Sequence, residues 1–99
     1  MAEVIWTSPA LDDLNDIAEY IALSNISAAR KLVHKVNDKI SRLVSHLESG
    51  NRPKELLNLN YLEVNVNPCR VFYKVDSDKV FILHVFRQER DLRRFILQR

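Results

Sequence analysis

The chain has 99 residues, of which 46% are hydrophobic and 28% are charged, and its formal net charge is +2. This length suits one hydrophobic core and is too short for two, so we expect a single domain over residues 1–99. One cysteine, Cys69, excludes an intrachain disulfide, and no stretch reaches the roughly 20 apolar residues of a transmembrane helix, so we expect a soluble, cytoplasmic protein.

The charge is distributed unevenly along the chain. Residues 1–29 contain five acidic residues and no lysine or arginine, a net charge of −5, whereas residues 30–99 contain 15 basic and 8 acidic residues, a net charge of +7. A positive field of this kind steers acidic partners toward the molecule.

The first predicted elements are a strand and a helix. "AEVIWTS" is rich in β-branched and aromatic residues, and Ser8 and Pro9 suit the N-cap and first turn of a helix that follows. Leu11, Leu14 and Ile17 begin an apolar stripe at helical spacing. The acidic residues off this stripe are interpreted as the solvated start of the helix, where the helix dipole favours them: Asp12, Asp13, Asp16 and Glu19.

A second, longer helix is predicted after a short break. Either Asn25 or Ser27 suits its N-cap, and an apolar stripe runs from Ala29 to Leu47. We expect the two helices to form an antiparallel hairpin and the second to end near Ser49, with Gly50 as a left-handed residue after it.

The period then changes to two, which predicts strands. "LEVNV" alternates, "NPC" makes a turn, "RVFYKV" is a second strand, "DSD" a tight turn, and "KVFILHVF" a third strand that is apolar enough to be central. A short helix with a basic face, containing Arg87, Arg90 and Arg94, is expected at the carboxyl end. The predicted fold is α+β: a strand, an antiparallel two-helix hairpin, a three-stranded antiparallel meander and a short helix.

Several kinds of site are not expected. The three histidines are scattered and no second cysteine exists, which speaks against a metal site, and one glycine is too few for a phosphate-binding loop. No cofactor is predicted, and Cys69 is interpreted as structural because no histidine lies near it in the sequence.

The residues that remain form a basic group on the last two strands and the segment beyond. Arginines bind phosphates and a histidine moves protons, so Arg70, His84, Arg87 and Arg90 together would suit RNA cleavage. The alternatives are structural: Arg70 ties the sheet to an acidic residue, and His84 is a half-buried, hydrogen-bonded imidazole. Arg93 is then a solvated residue.

The stretch "CRVFYKVDSDKVFILHVFRQERDL", together with the order of elements, resembles the RelE/ParE superfamily of bacterial toxins from type II toxin-antitoxin modules. RelE-like members are ribosome-dependent mRNA endonucleases with lysines on the first meander strand. Glu63 and Asn65 stand on that strand here, and a carboxylate repels a scissile phosphate.

The resemblance therefore favours ParE-like members, which are associated with inhibition of DNA gyrase rather than with catalysis. It implies a target-binding surface made of Arg70, His84, Arg87, Arg90, Arg93 and Arg94. An RelE-like nuclease remains the alternative, with Arg70, His84, Arg87 and Arg90 as its catalytic candidates, and a module that has lost its toxicity is a third possibility.

The same resemblance implies a protein partner. A cognate antitoxin, ParD-like or of another type, would bind the toxin directly, and Trp6 and Tyr20 are candidate contacts for it. The antitoxin carries the DNA-binding part of such modules, so no sequence-specific DNA binding is expected of this chain.

Overall fold

The computed structural model describes residues 3–46, 50 and 61–87. In chain order the elements are β1 (Glu3–Trp6), α1 (Ser8–Ala22), α2 (Ile26–Leu43), β2 (Leu62–Val66), β3 (Cys69–Asp76) and β4 (Lys79–Arg87). The strands form one sheet in the order β1-β4-β3-β2, antiparallel except for the parallel pair of β1 and β4. The α+β class, the hairpin and the central position of β4 are confirmed; the predicted carboxyl-terminal helix lies outside the described residues.

The two helices pack on one face of the sheet. The core between these layers contains Leu14 and Val36 from the helices and Tyr73 and Ile82 from β3 and β4, and the last three of these are fully enclosed. Burying a side chain of this size stabilises the fold by about 1.5–3 kcal/mol. Since strand side chains alternate between faces, the residues next to Tyr73 on β3 and next to Ile82 on β4 project from the opposite face of the sheet. Neither α1 nor α2 is long and apolar enough to cross a membrane.

The start of α1 differs by one residue from the prediction. Thr7, not Ser8, is the N-cap: its hydroxyl accepts from the Ala10 amide at 3.4 Å and donates to the Ile82 carbonyl at 2.7 Å. The contact with β4 favours Thr7, because its hydroxyl bonds both to an amide of the first turn of α1 and to a backbone carbonyl of β4. As a result the first turn contains no acidic residue. Asp12, Asp16 and Glu19 are exposed, as predicted, whereas Asp13 is half-buried.

The end of α2 was also predicted wrongly. The helix ends at Leu43, and the next residues form tighter turns in which the amides of Val44, Ser45 and His46 bond to carbonyls three residues earlier. Gly50 is therefore not the residue that terminates this helix. Its amide instead donates to the Tyr73 hydroxyl at 2.9 Å.

The start of α2 provides a test between the two residues that the sequence left open. Asn25 is the N-cap, and its side-chain oxygen accepts from the Ala28 amide at 3.0 Å. We expect Asn25→Ala to lower the free energy of unfolding by about 1 kcal/mol, because that amide loses its acceptor. Ser27→Ala, on an exposed residue inside the helix, is expected to change it by less than about 0.5 kcal/mol in the same urea titration. Equal effects of the two substitutions would contradict the assignment.

Candidate functional site

Two of the predicted site residues, Arg70 and His84, lie on neighbouring strands in the sheet. In the pairing of β3 with β4, Arg70 is opposite Phe86 and Phe72 is opposite His84, so that Arg70 and His84 are diagonal neighbours. A register shift follows between Phe72 and Tyr73. The structure thus places a guanidinium and an imidazole within one small area of the sheet.

Aromatic rings connect these two side chains. The Arg70 guanidinium lies 5.0 Å from the centre of the Phe72 ring, which meets the Phe86 ring edge to face at 5.6 Å. The His84 ring stacks on Phe86 with 5.4 Å between centres. Both phenylalanines are buried, so they fix the positions of the polar groups and are not surfaces on which a base could stack.

The Arg70 side chain forms an ion pair with Glu63. Its Nε donates to Glu63 Oε2 at 2.7 Å, and the two side chains are only 13% and 12% exposed. Glu63 reaches Arg70 from β2, the strand on which a nuclease of the RelE type would need cations. The structural interpretation of Arg70 is therefore confirmed: the arginine ties β3 to β2, and a carboxylate offsets its charge.

His84 is held by Asp13, a residue that the sequence analysis had assigned to a solvated helix start. His84 Nδ1 lies 3.0 Å from Asp13 Oδ2, and the same oxygen accepts from the Val85 amide at 3.1 Å. Because an ionised carboxylate only accepts hydrogen bonds, Nδ1 carries a proton and donates it. The Asp13 carboxylate also takes the place of a strand partner, because β1 pairs with β4 only as far as Ile82.

Beyond Asp13 a cleft opens between α1 and the end of β4. It has a volume of about 290 Å³, and its polar walls include Asp13, Asp16, Tyr20 and Arg87. The Arg87 guanidinium lies 5.4 Å from the centre of the Tyr20 ring. Tyr20 is 64% exposed. The cleft therefore combines two carboxylates with one cation above an accessible aromatic ring.

The remaining predicted site residues divide into two groups. Trp6 is half-buried in β1 and packs against the core. Arg90, Arg93 and Arg94 lie outside the described residues. Among residues 3–46, 50 and 61–87, no three histidine, cysteine or acidic side chains come together in a way that could hold a metal ion.

Sequence reasoning missed the two carboxylates that organise this area. Asp13 precedes Ile17 by four residues and Tyr20 by seven, which places it on the edge of the apolar stripe of α1 rather than on the solvent side. That spacing was a signal for a buried contact. Glu63 was noticed as an obstacle to nuclease chemistry, but its pairing with Arg70 depends on strand register and had no local signal.

Comparisons with known proteins agree on one group of relatives. Residues 4–92 match the model of a family described as the ParE toxin of the type II toxin-antitoxin system parDE. The solved chromosomal ParDE toxin-antitoxin system from P. aeruginosa is similar in structure, with a TM-score of 0.72 at 24% identity, over 90% of this chain and 98% of that one. No curated protein matches the sequence.

Two further solved structures share the fold at lower similarity. The RelBE2 toxin-antitoxin complex from Mycobacterium tuberculosis has a TM-score of 0.57 at 19% identity, covering 87% of this chain and 96% of that one. The YoeB-YefM complex from Staphylococcus aureus has a TM-score of 0.55 at 15% identity, covering 86% and 94%. At these identities the likeness shows a common fold.

Proposed function

The chain belongs to the ParE toxin family of type II toxin-antitoxin systems, and from this premise we propose that it arrests growth by binding DNA gyrase, without cutting nucleic acid itself. The resemblance to the RelE/ParE superfamily predicted from the sequence is thereby confirmed. Inhibition of gyrase, and the absence of catalysis by the chain, are the parts that we propose. Gyrase would meet the toxin in the cytoplasm.

The observation that carries the proposal is the pair of Arg70 and Glu63. Cleavage of RNA needs cations that are able to hold a phosphate while its charge grows. Here Nε of the arginine on β3 is occupied by a carboxylate at 2.7 Å, so a phosphate held by this arginine would lie beside a negative charge. His84 is similarly engaged by Asp13 at 3.0 Å. This arrangement favours attachment to a target over bond breaking.

We assign target binding to the basic residues around the end of β4. Arg87 lines the cleft, and Arg90, Arg93 and Arg94 follow it in the sequence. Arg70 and His84 lie on β3 and β4 beside it. Clustered guanidinium groups suit an acidic surface such as a complex of gyrase with DNA.

A cognate antitoxin would neutralise the toxin by binding it directly. Tyr20 is the better of the two proposed contacts, because the residue is 64% exposed, whereas Trp6 is half-buried and packs against the core. An acidic antitoxin segment would be attracted to residues 30–99, with their net charge of +7. We expect sequence-specific DNA binding from the antitoxin and not from this chain.

The test measures both candidate activities in the same cells. The full chain is induced without an antitoxin, and plasmid supercoiling and transcript ends are followed together. We expect loss of supercoiling and accumulation of broken DNA while transcripts stay intact. Transcripts cut at ribosome-bound codons, with normal plasmid topology, would instead identify an mRNA endonuclease that uses Arg70, His84, Arg87 and Arg90.

Glu63→Gln sharpens this distinction. The substitution keeps the shape of the side chain and removes the negative charge beside Arg70. A nuclease limited by that charge would cut transcripts faster, whereas a gyrase-binding toxin leaves them intact with either residue.

The role of the basic segment is tested with a charge-matched pair of triple variants. Replacing Arg90, Arg93 and Arg94 by alanine is expected to reduce gyrase inhibition by purified protein at least tenfold, on the order of the loss from removing several charged contacts. Replacing Lys31, Lys35 and Lys39, three exposed lysines of α2, removes the same charge elsewhere and should have little effect. Equal losses in the two variants would contradict the assigned surface.

A further inference from the structure

Four cations of α2 form one row along the exposed side of the helix. With 3.6 residues per turn, they fall within an arc of about 80° and extend over about 16 Å of the helix axis. All four residues are exposed: Lys31, Lys35, Lys39 and Arg42. The opposite side of the helix, which includes Val36 and Ile40, is buried in the core. The packing of α2 therefore fixes the direction in which the row faces.

The row borders a recess between α2 and the turn that joins β2 to β3. Val36 and Ile40 of α2 share a core with Val64 and Val66 of β2, which brings this strand next to the helix. The recess has a volume of about 300 Å³. The polar and charged residues that line it come from both sides: Lys35, Asp38, Lys39, Arg42, Asn65 and Asn67. We call it the basic recess, because three cations and one carboxylate give it a net charge of +2.

The fold itself does not account for the cations of the basic recess. Within residues 3–46, 50 and 61–87, neither these cations nor Asp38 form an ion pair. Arg42 lies in the last turn of α2, where the helix dipole favours a cation, but Lys35 and Lys39 lie further from the helix end. Lys35 is four residues from both Lys31 and Lys39, and like charges at this spacing destabilise a helix slightly. Helix stability therefore does not explain the row.

We propose that the basic recess binds the phosphate backbone of duplex DNA without reading its sequence. Lysine and arginine hold phosphates by their charge, and asparagine side chains and backbone amides donate hydrogen bonds to phosphate oxygens. A straight row of cations on a helix suits a backbone whose negative charges repeat at regular intervals. Such contacts add affinity for DNA to any complex that holds the toxin close to it, while base recognition stays with the antitoxin.

The lining of the recess favours a nucleic-acid duplex over a peptide or a single strand. Peptide-binding grooves receive apolar side chains as anchors, whereas the apolar residue that lines this recess, Val66, is buried. In the part of the chain that the structure describes, no aromatic ring lines the recess. Unpaired bases, which bind by stacking on such rings, would therefore find no support there.

The basic recess is separate from the surface assigned to gyrase. That surface surrounds the end of β4 and the arginines that follow it, whereas the recess lies between α2 and the β2–β3 turn. The proposal therefore does not rest on gyrase as the target. Affinity for DNA and inhibition of gyrase are measured in separate assays, so that failure of one proposal leaves the other standing.

The test follows binding of the purified full chain to a labelled duplex by fluorescence anisotropy at several salt concentrations. Two duplexes of unrelated sequence should bind equally, with a dissociation constant that rises steeply with salt. Lys35→Gln combined with Lys39→Gln should raise that constant at least about tenfold in about 50 mM salt. The same variant should reduce the slope of the logarithm of affinity against the logarithm of salt concentration by about 2, because two phosphate contacts are lost.

Asp38→Asn should act in the opposite direction. It removes the carboxylate of the basic recess, so the dissociation constant for the duplex should fall about threefold. A weaker or unchanged affinity for DNA in this variant would contradict the proposed site.

Lys74→Gln combined with Lys79→Gln is the matched control. Both lysines are exposed, and they lie at the end of the β3–β4 pair that is distant from the β2–β3 turn. This variant loses the same charge and should change the dissociation constant by less than about twofold, because salt screens charges that lie far from the bound DNA. Circular dichroism checks that each variant is folded.

Equal losses of affinity in the two double variants overturn the proposal, as does a wild-type chain that does not bind duplex DNA. Binding that is lost only when Arg90, Arg93 and Arg94 are replaced overturns it as well, because the DNA would then lie on the carboxyl-terminal segment. A glutamate-rich peptide that binds the basic recess more tightly than the duplex would identify an acidic protein as its occupant and reject DNA.

Discussion

Asp13→Ala is expected to lower the free energy of unfolding by about 2–3 kcal/mol, and the melting temperature by roughly 10–20 °C for a domain of this size. One carboxylate oxygen accepts both from His84 Nδ1, at 3.0 Å, and from the Val85 amide, at 3.1 Å. Alanine leaves the amide without its acceptor at a point where β1 no longer pairs with β4. A hydrogen bond to a charged group contributes about 1.5–3 kcal/mol, and partial exposure of these side chains, 26% and 28%, reduces the sum.

Asp12→Ala is the matched control, because Asp12 is the preceding residue, carries the same charge and is exposed. Its effect should stay within about 0.5 kcal/mol. Asp13→Asn keeps one oxygen as an acceptor and should lie between the two. Urea titration of the three variants measures these differences, and an Asp13→Ala variant as stable as Asp12→Ala would show that the contact with β4 contributes nothing.

Gly50→Ala is expected to destabilise the protein by about 2–3 kcal/mol. A β-carbon at this position would lie 2.6 Å from the backbone carbonyl oxygen of Glu63 and would also overlap the Tyr73 hydroxyl. The Glu63 oxygen belongs to β2 and the Tyr73 side chain is fully buried, so neither can move without disturbing the sheet. The glycine is needed here for close approach.

The sign of this effect is informative. Where an alanine fits, replacing glycine stabilises a protein by about 0.4–1 kcal/mol, because the unfolded chain loses freedom. A stabilised Gly50→Ala variant in thermal unfolding would therefore contradict the close contact. Tyr73→Phe serves as the control: it removes the hydroxyl and its 2.9 Å bond to the Gly50 amide, which should cost about 1 kcal/mol. Combined with Gly50→Ala it should relieve only part of the clash, because the Glu63 carbonyl remains.

Glu63 takes part in two structural contacts. Its side chain engages Arg70, while its carbonyl limits the space at position 50. The residue that pairs with Arg70 therefore also limits how bulky a side chain at position 50 can be.

The sequence alone determined the order of the elements and the pairing of the three meander strands, but not the parallel pairing of β1 with β4. Apolar residues recur every 3.6 residues in the helical hairpin and every two residues in the meander, which distinguishes them. Short turns such as the one at Ser77, where φ is 58°, can join only antiparallel strands. The sequence narrowed the N-cap of α2 to Asn25 and Ser27, because an N-cap is a local hydrogen bond, and the structure decided for Asn25. The separation of charge along the chain, from −5 to +7, is likewise a property of sequence.

Only the tertiary structure decided which polar groups meet. Asp13 and His84 are 71 residues apart, and Thr7 and Ile82 are 75 apart, so no local pattern links them. The end of α2 at Leu43 and the pairing of Arg70 with Glu63 depend equally on how the elements pack. The physical reason is that apolar periodicity reports which face of an element is buried, whereas the partner of a buried polar group is set by strand register and by the docking of helices on the sheet.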